Sequence, residues 1–315
     1  ALVKGGPLEG RPCFSGKTSG GIKMKRFWKK ALALTMALSM VLSLCVMSAG
    51  AQEGAVAQLD NGQTFSTLQA AFDAAQDGNT ITLLGNITVS EGNNAVRYDG
   101  GKSFTVDFAG YTVTANTENA AFVIVGNGNI TMKNGTITAG PDAYWTVGAQ
   151  GQDGTITTTI DNMTLNNSKQ YAVSIKAFTG SEINVINTTV NSTNGAGGTE
   201  CAGGTVNITN CIYNQSGTYD HNSTNVAVSN GGTVNIYSGT FAAEPYGLYV
   251  FNSGGTINVY DGTFSASKVL KADNSTTSNP SVINIENGDF TGTCEIGDKS
   301  TLSITGGTFS SSPLK

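Results

Sequence analysis

A short phrase recurs along this chain, most clearly at residues 233–241 (TVNIYSGTF), 256–264 (TINVYDGTF) and 282–290 (VINIENGDF). Aligned on its second apolar residue, it occurs nine times, marked by Val106, Met132, Ile160, Val185, Ile208, Ile236, Val259, Ile285 and Ile304. The spacings are 26, 28, 25, 23, 28, 23, 26 and 19 residues. Repeats of this length are stacking units, each too small to bury its own apolar face.

Two residues before the mark the side chain is apolar in eight of the nine copies, Thr158 being the exception, and a small polar residue separates the two. That alternation describes a strand with one buried face. Five residues after the mark comes a second apolar site: Tyr111, Ile137, Leu165, Val190, Tyr213, Phe241, Phe264, Phe290 and Phe309. Apolar runs at 121–125, 171–175, 225–229 and 246–250 supply a third strand per unit. No helical periodicity lies between strands, which excludes βαβ crossovers. The remaining solution is a coil in which each strand pairs in parallel with its counterpart one turn later.

Ahead of the first copy, residues 79–89 read as a degenerate first coil. Ser66, Leu68, Ala71, Phe72 and Ala75 follow helical spacing, and Ser66 with Gln69 matches a capping box. An amphipathic helix of about three turns is expected there, ending at Asp77-Gly78 and laid across the otherwise bare first rung.

Two residues past the mark stand Asn134, Asn162, Asn187, Asn210 and Asn287, and Gly follows directly in Asn134-Gly135, Ser238-Gly239, Asp261-Gly262 and Asn287-Gly288. Asn and Gly accept the left-handed backbone of a tight bend between strands. A ladder of Asn at such a bend resembles the right-handed parallel β-helix of the pectate-lyase-like superfamily, including repeat proteins of bacterial cell surfaces, over roughly residues 62–309. The resemblance implies an all-β solenoid of nine to ten coils with an N-terminal capping helix, and side-chain amides bonded along the axis.

From Met24 the chain shows Lys25, Arg26, Lys29 and Lys30, an apolar run over 31–47 and then Ser48-Ala49-Gly50-Ala51. This is the pattern of a secretory signal peptide over 24–51; the run is short and Ala/Ser-rich for a membrane anchor. Residues 1–23 end in Gly20-Gly21-Ile22-Lys23 just before that Met, and read as a translated leader. The expected organisation is a non-native leader (1–23), a signal peptide (24–51), a segment carrying the helix (52–78) and the β-helix (79–315). The repeats run to Phe309 without a closing cap, so further domains are expected beyond Lys315. Location is expected to be secreted or cell-surface, with no membrane span after cleavage.

From Gln52 onward nine basic residues face twenty-one acidic ones, a net charge of −12. An acidic surface without a basic cluster argues against nucleic acid and anionic lipid as partners. Cys201 and Cys211 flank an extended run that holds them too far apart for a disulfide, and read as small core side chains. No zinc-ligand spacing occurs, and neither metal nor cofactor is expected.

By the resemblance, a catalytic cleft would run along the outward face of the first strand of each coil. By alternation the outward residues there are Arg97, Thr146, Ser174, Lys176, Ala227, Tyr249, Phe251 and Lys268, with no carboxylate among them. Glycan cleavage needs two carboxylates or a metal-bound acid cluster with a base. His221 lies in a polar loop, and the motifs of pectate lyases are missing. A second outward column, one residue past the mark, places Asp107, Lys133 and Asp161 in an acid-base-acid ladder and stacks Tyr237 on Tyr260. The expected role is therefore a non-catalytic stalk or adhesin, with Tyr249, Phe251, Tyr246, Tyr237, Tyr260 and Lys176 as the surface that meets host or cell-wall glycans. The alternative is a polysaccharide lyase or glycoside hydrolase.

Overall fold

The apolar side chains on either side of each small polar residue point inward, and stacking them produces the architecture. The computed structural model describes residues 54–219 and 223–313. They form a right-handed parallel β-solenoid of about nine turns, in which each turn contributes three short strands. The leader, the signal peptide and His221 lie outside the described residues.

The strand around each mark pairs in parallel with the next without a slip: Val106 with Met132, then Ile160, Val185, Ile208, Ile236, Val259, Ile285 and Ile304. Ile81 of the strand Thr80–Leu83 joins this column ahead of Val106, so the degenerate first coil is real. Nearly all of these side chains are fully buried, and each contributes on the order of 1.5–3 kcal/mol relative to exposure.

The bend after the mark has two solutions. In four coils Asn134, Asn162, Asn187 and Asn210 adopt left-handed backbone, with φ of 61°, 53°, 49° and 52°. In the next four the positive φ moves one residue on, to Gly239, Gly262, Gly288 and Gly307. A side chain at Gly239 would stand 2.6 Å from the Cys211 carbonyl oxygen, so the second solution needs glycine. Asn287 therefore does not share the backbone role of the other four.

The first copy departs from the five-residue rule. Ala109 (φ 51°) and Gly110 (φ 85°) lengthen its bend, so Val113, not Tyr111, pairs with Ile137, and Tyr111 is turned out to 37% exposure. From Tyr213 onward the inward column is an aromatic stack: Tyr213, Phe241, Phe264, Phe290 and Phe309 follow one another at 4.7 to 5.0 Å between ring centroids, with interplanar angles from 5° to 23°.

One helix occurs among the described residues, Leu68–Ala74, two turns where three are expected. Its N-cap is Thr67, whose hydroxyl accepts the Ala70 amide at 3.2 Å, in place of Ser66. The capping box fails because Gln69 is engaged elsewhere: its side chain donates to the carbonyl and accepts from the amide of Arg97, both at 2.8 Å. Phe72 is buried edge-on against Phe104, with ring centroids 5.3 Å apart. No helix of the described residues is long and apolar enough to cross a membrane.

Candidate functional site

Strand register fixes which outward residues of the first-strand sheet are neighbours. The column runs Arg97, Val123, Gly148, Lys176, Glu200, Ala227, Tyr249, Lys271 and Glu295 on successive coils. This corrects the sequence-based column in three ways. Thr146 and Ser174 are buried, because the strand starts turn into the interior corner, and the Ser174 hydroxyl bonds that of Ser192 at 2.8 Å; Ala227 stays in the column but is covered between Glu200 and Tyr249. Lys271 takes the place beside Tyr249, because the strands Tyr246–Val250 and Thr263–Ala272 pair with one constant offset, which sets Lys268 beside Tyr246 at the strand start. Finally, carboxylates do stand on this face: Asp99, Glu200, Asp273 and Glu295.

Glu200 was hidden because its strand, Gly197–Ala202, reads GGTECA and has no apolar alternation. It pairs with Lys176 at 2.5 Å, both side chains about 15% exposed, and accepts the Ser229 hydroxyl at 3.2 Å. A pair this sheltered is held by its partners, since removal of either charge strands the other. Two coils on, the Tyr249 hydroxyl donates to Asp273 at 2.7 Å. Burial, with the Asp273 carboxylate beside it, holds that phenol protonated far above its ordinary range. The Lys271 ammonium lies 4.7 Å from the centre of the Tyr249 ring and 3.5 Å from Glu295. Lys268 bonds the same Glu295, and this bond holds the carboxyl below its usual range.

Tyr249 is thus only 4% exposed, with a cation over its face and Phe251 against its edge at 4.4 Å. It is a floor and not an open platform. Tyr246 and Phe251 remain half-exposed beside it. A depression of about 390 Å³ lies here, lined by Glu200, Ser229, Tyr249, Phe251, Asn252 and Asp273, with Ser253 at its edge. Lys176 borders it only through Glu200.

On the second-strand sheet Tyr237 and Tyr260 stack at 4.9 Å and 4°. Each ring spends one face on the other, so the pair is cross-strand packing first, worth roughly 0.5–1.5 kcal/mol beyond burial. Lys133 pairs with Asp107 at 3.5 Å, and Asp161 accepts the Asn187 amide at 3.1 Å.

The asparagine ladder forms with a break. Asn162 donates to Asn134 at 3.0 Å and Asn210 to Asn187 at 2.8 Å, while Asn134, Asn187 and Asn287 donate to Asp107, Asp161 and Asp261. A longer ladder stands on the polar positions inside the repeat phrase, where Asn184, Asn207, Asn235, Asn258 and Asn284 bond in unbroken sequence at 2.8 to 2.9 Å. A third joins Thr138, Asn166, Asn191 and Asn214 at 3.0 to 3.1 Å. The signal for the second ladder was present as Asn recurring one residue before the mark.

Cys201, Cys211 and Cys294 are free thiols. Burial pushes Cys201 up to about 12 and Cys211 up to about 11, as befits core side chains. Among the described residues no group of three or more His, Cys, Asp or Glu is placed to hold a metal ion. No family model matches this chain, and no curated protein or solved structure matches it.

Proposed function

We propose that this chain is a secreted or cell-surface solenoid of stalk or adhesin type, non-catalytic, that presents a long polar face to host or cell-wall glycans. The observation that carries the reading is the coil-to-coil pairing of the outward polar groups. Three amide ladders and the pairs Lys176–Glu200 and Lys268–Glu295 tie neighbouring coils together, which serves length and stiffness. The same reading places the fold in the pectate-lyase-like superfamily and takes the helix Leu68–Ala74 as the lid of the first coil. The packing of Phe72 and the bonds from Gln69 to Arg97 support that lid. The half-exposed Tyr246 and Phe251 beside the depression supply apolar contact for a sugar ring, and its Asn, Ser and carboxylate groups supply hydrogen bonds.

A second reading, a polysaccharide lyase or glycoside hydrolase, is favoured by one observation: Glu200 and Asp273 border the same depression. The two separate in one experiment. The full chain is incubated with mucin and cell-wall glycans while retention and release of reducing or unsaturated ends are both followed. The stalk reading expects retention without turnover, weakened by Tyr246→Ala with Phe251→Ala. Turnover lost on Glu200→Gln or Asp273→Asn would overturn it in favour of the enzyme.

A further inference from the structure

Four coils of the first-strand face carry a different surface from the depression around Tyr249. Where the outward column holds Arg97 and Lys176 at its ends, the two residues between them are Val123 and Gly148. Val125 lies beside Val123, and both are 8% exposed although they point away from the main core; they form a small apolar cluster of their own with Ala120, and Trp145 packs against it. A Cβ on Gly148 would lie 3.3 Å from Trp145 Cε3 and 3.7 Å from Cδ2, so the indole is laid along the sheet over the one position that has no side chain. Phe178 meets it edge-on, with ring centroids 5.3 Å apart at 78°.

These groups enclose a depression of about 260 Å³, whose lining includes Arg97, Val123, Val125, Trp145, Gln150 and Phe178. Its rim is polar yet neutralised. Arg97 donates from Nε and Nη2 to the two carboxylate oxygens of Asp99 at 2.7 and 2.9 Å, and the Asn119 amide donates to Asn94 at 3.1 Å; Lys176, outside the lining and 5.5 Å from the centre of the Phe178 ring, is paired with Glu200. An anionic ligand would have to displace the Asp99 carboxylate, and a purely apolar one would strip water from the Gln150 amide and the ion pair without replacing its hydrogen bonds. The walls ask for a flat apolar surface, the rim for uncharged groups that both donate and accept, and the volume for something on the scale of a sugar ring.

We infer that this groove binds a neutral hexopyranose unit, one ring laid against Trp145 and its hydroxyls bonded to Gln150 and the Arg97–Asp99 pair. This rests on the glycan-binding part of the function proposed above and moves its principal contact. Gly148 and Tyr249 are four register steps apart on the same column, about 19 Å at ~4.8 Å per coil.

The test uses the full chain carrying Trp28→Phe, so that Trp145 is the sole indole. Its emission is titrated with maltotriose, cellotriose and mannotriose, with trigalacturonate and an aromatic hexapeptide as comparison probes. A saturable change with at least one neutral trisaccharide is expected, with weaker response to the uronate and the peptide. Gly148→Val, which pushes the indole off its place on the sheet and leaves Arg97 and Gln150 untouched, should weaken binding about tenfold or more with an unchanged far-ultraviolet circular dichroism spectrum. Tyr246→Ala with Phe251→Ala should leave this titration unchanged. No saturable response to any neutral sugar, or a stronger response to the uronate or the peptide, overturns the inference. If glycan retention persists in Gly148→Val but is lost in the Tyr246/Phe251 variant, this inference falls while the proposed function stands.

Discussion

Phe264 sits in the middle of the aromatic stack, 4.8 Å from the ring of Phe241 on one side and 4.8 Å from that of Phe290 on the other, and is fully buried. Truncation to alanine removes the ring from both neighbours at once. Collapse around the void is restricted, because the Gly262 backbone bends tightly there and a Cβ on it would lie only 3.0 Å from the Phe264 ring. A cavity that cannot close places the loss toward the upper part of the ordinary Phe→Ala range, about 3–5 kcal/mol. Phe264→Leu keeps most of the buried volume and loses the stacking, for about 1–1.5 kcal/mol. Phe309→Ala is the internal control. That ring is half-buried at the end of the stack, with Phe290 at 4.7 Å, so its loss should be about 1 kcal/mol. Urea unfolding followed by circular dichroism gives the three values. Hydrogen exchange should show loss of protection centred on the coils of Phe241, Phe264 and Phe290, since each coil contacts chiefly its neighbours. Equal effects at Phe264 and Phe309, or a loss under about 1 kcal/mol at Phe264, would refute the idea that the stack couples the coils.

Asn210 combines a left-handed backbone with a 2.8 Å amide bond to Asn187. Asn210→Gly should lose only the bond, about 1 kcal/mol, while Asn210→Ala adds about 1–2 kcal/mol of backbone strain; equal urea midpoints for the two would contradict the assignment of the bend. For Asp107, burial raises the carboxyl, but the Ala109 amide, the Asn134 side chain and Lys133 outweigh it and bring it below its ordinary 3.8. A folded value below the unfolded one means stability that is present above about pH 4 and is lost as the pH falls through the folded value. Acid unfolding of Asp107→Asn should therefore show a shallower dependence on pH in that window than the parent chain, and parallel curves would count against it.

The inward side of this molecule was legible because burial repeats a simple rule: every mark from Val106 to Ile304 found its partner in register. The exception, Tyr111, fell where two extra bend residues shift the count, and nothing in the local alternation announces them. The outward face was harder to read. Its strand starts turn into an interior corner, so Thr146 and Ser174 are buried polar residues that look exposed by alternation. Glu200 sits in a glycine-rich strand held by its neighbours and not by its own pattern, and Lys268 falls at a strand start beside Tyr246, which leaves Lys271 in the column. Alternation records which residues avoid water. It carries no information on which strand ends bend inward, and the charged column depends on those bends.

The bend after the mark has a consequence for how such a chain can change. In eight coils the path from mark to second apolar site is five residues, metered by one left-handed Asn or Gly, whereas the corner before the mark varies from the short link between Gly126 and Asn129 to the long one between Ala272 and Ser281, and the third corner from a bend inside the strand Thr263–Ala272 to the link between Asn167 and Val173. Insertions are absorbed at those two corners without disturbing any inward column. At the metered corner an odd insertion would turn the second apolar site outward, whereas the two extra residues of the first copy keep the alternation and pass the inward place from Tyr111 to Val113. Growth of this protein is therefore quantised: it can gain whole coils by duplication and decorate two of its three edges freely, but the third edge keeps count.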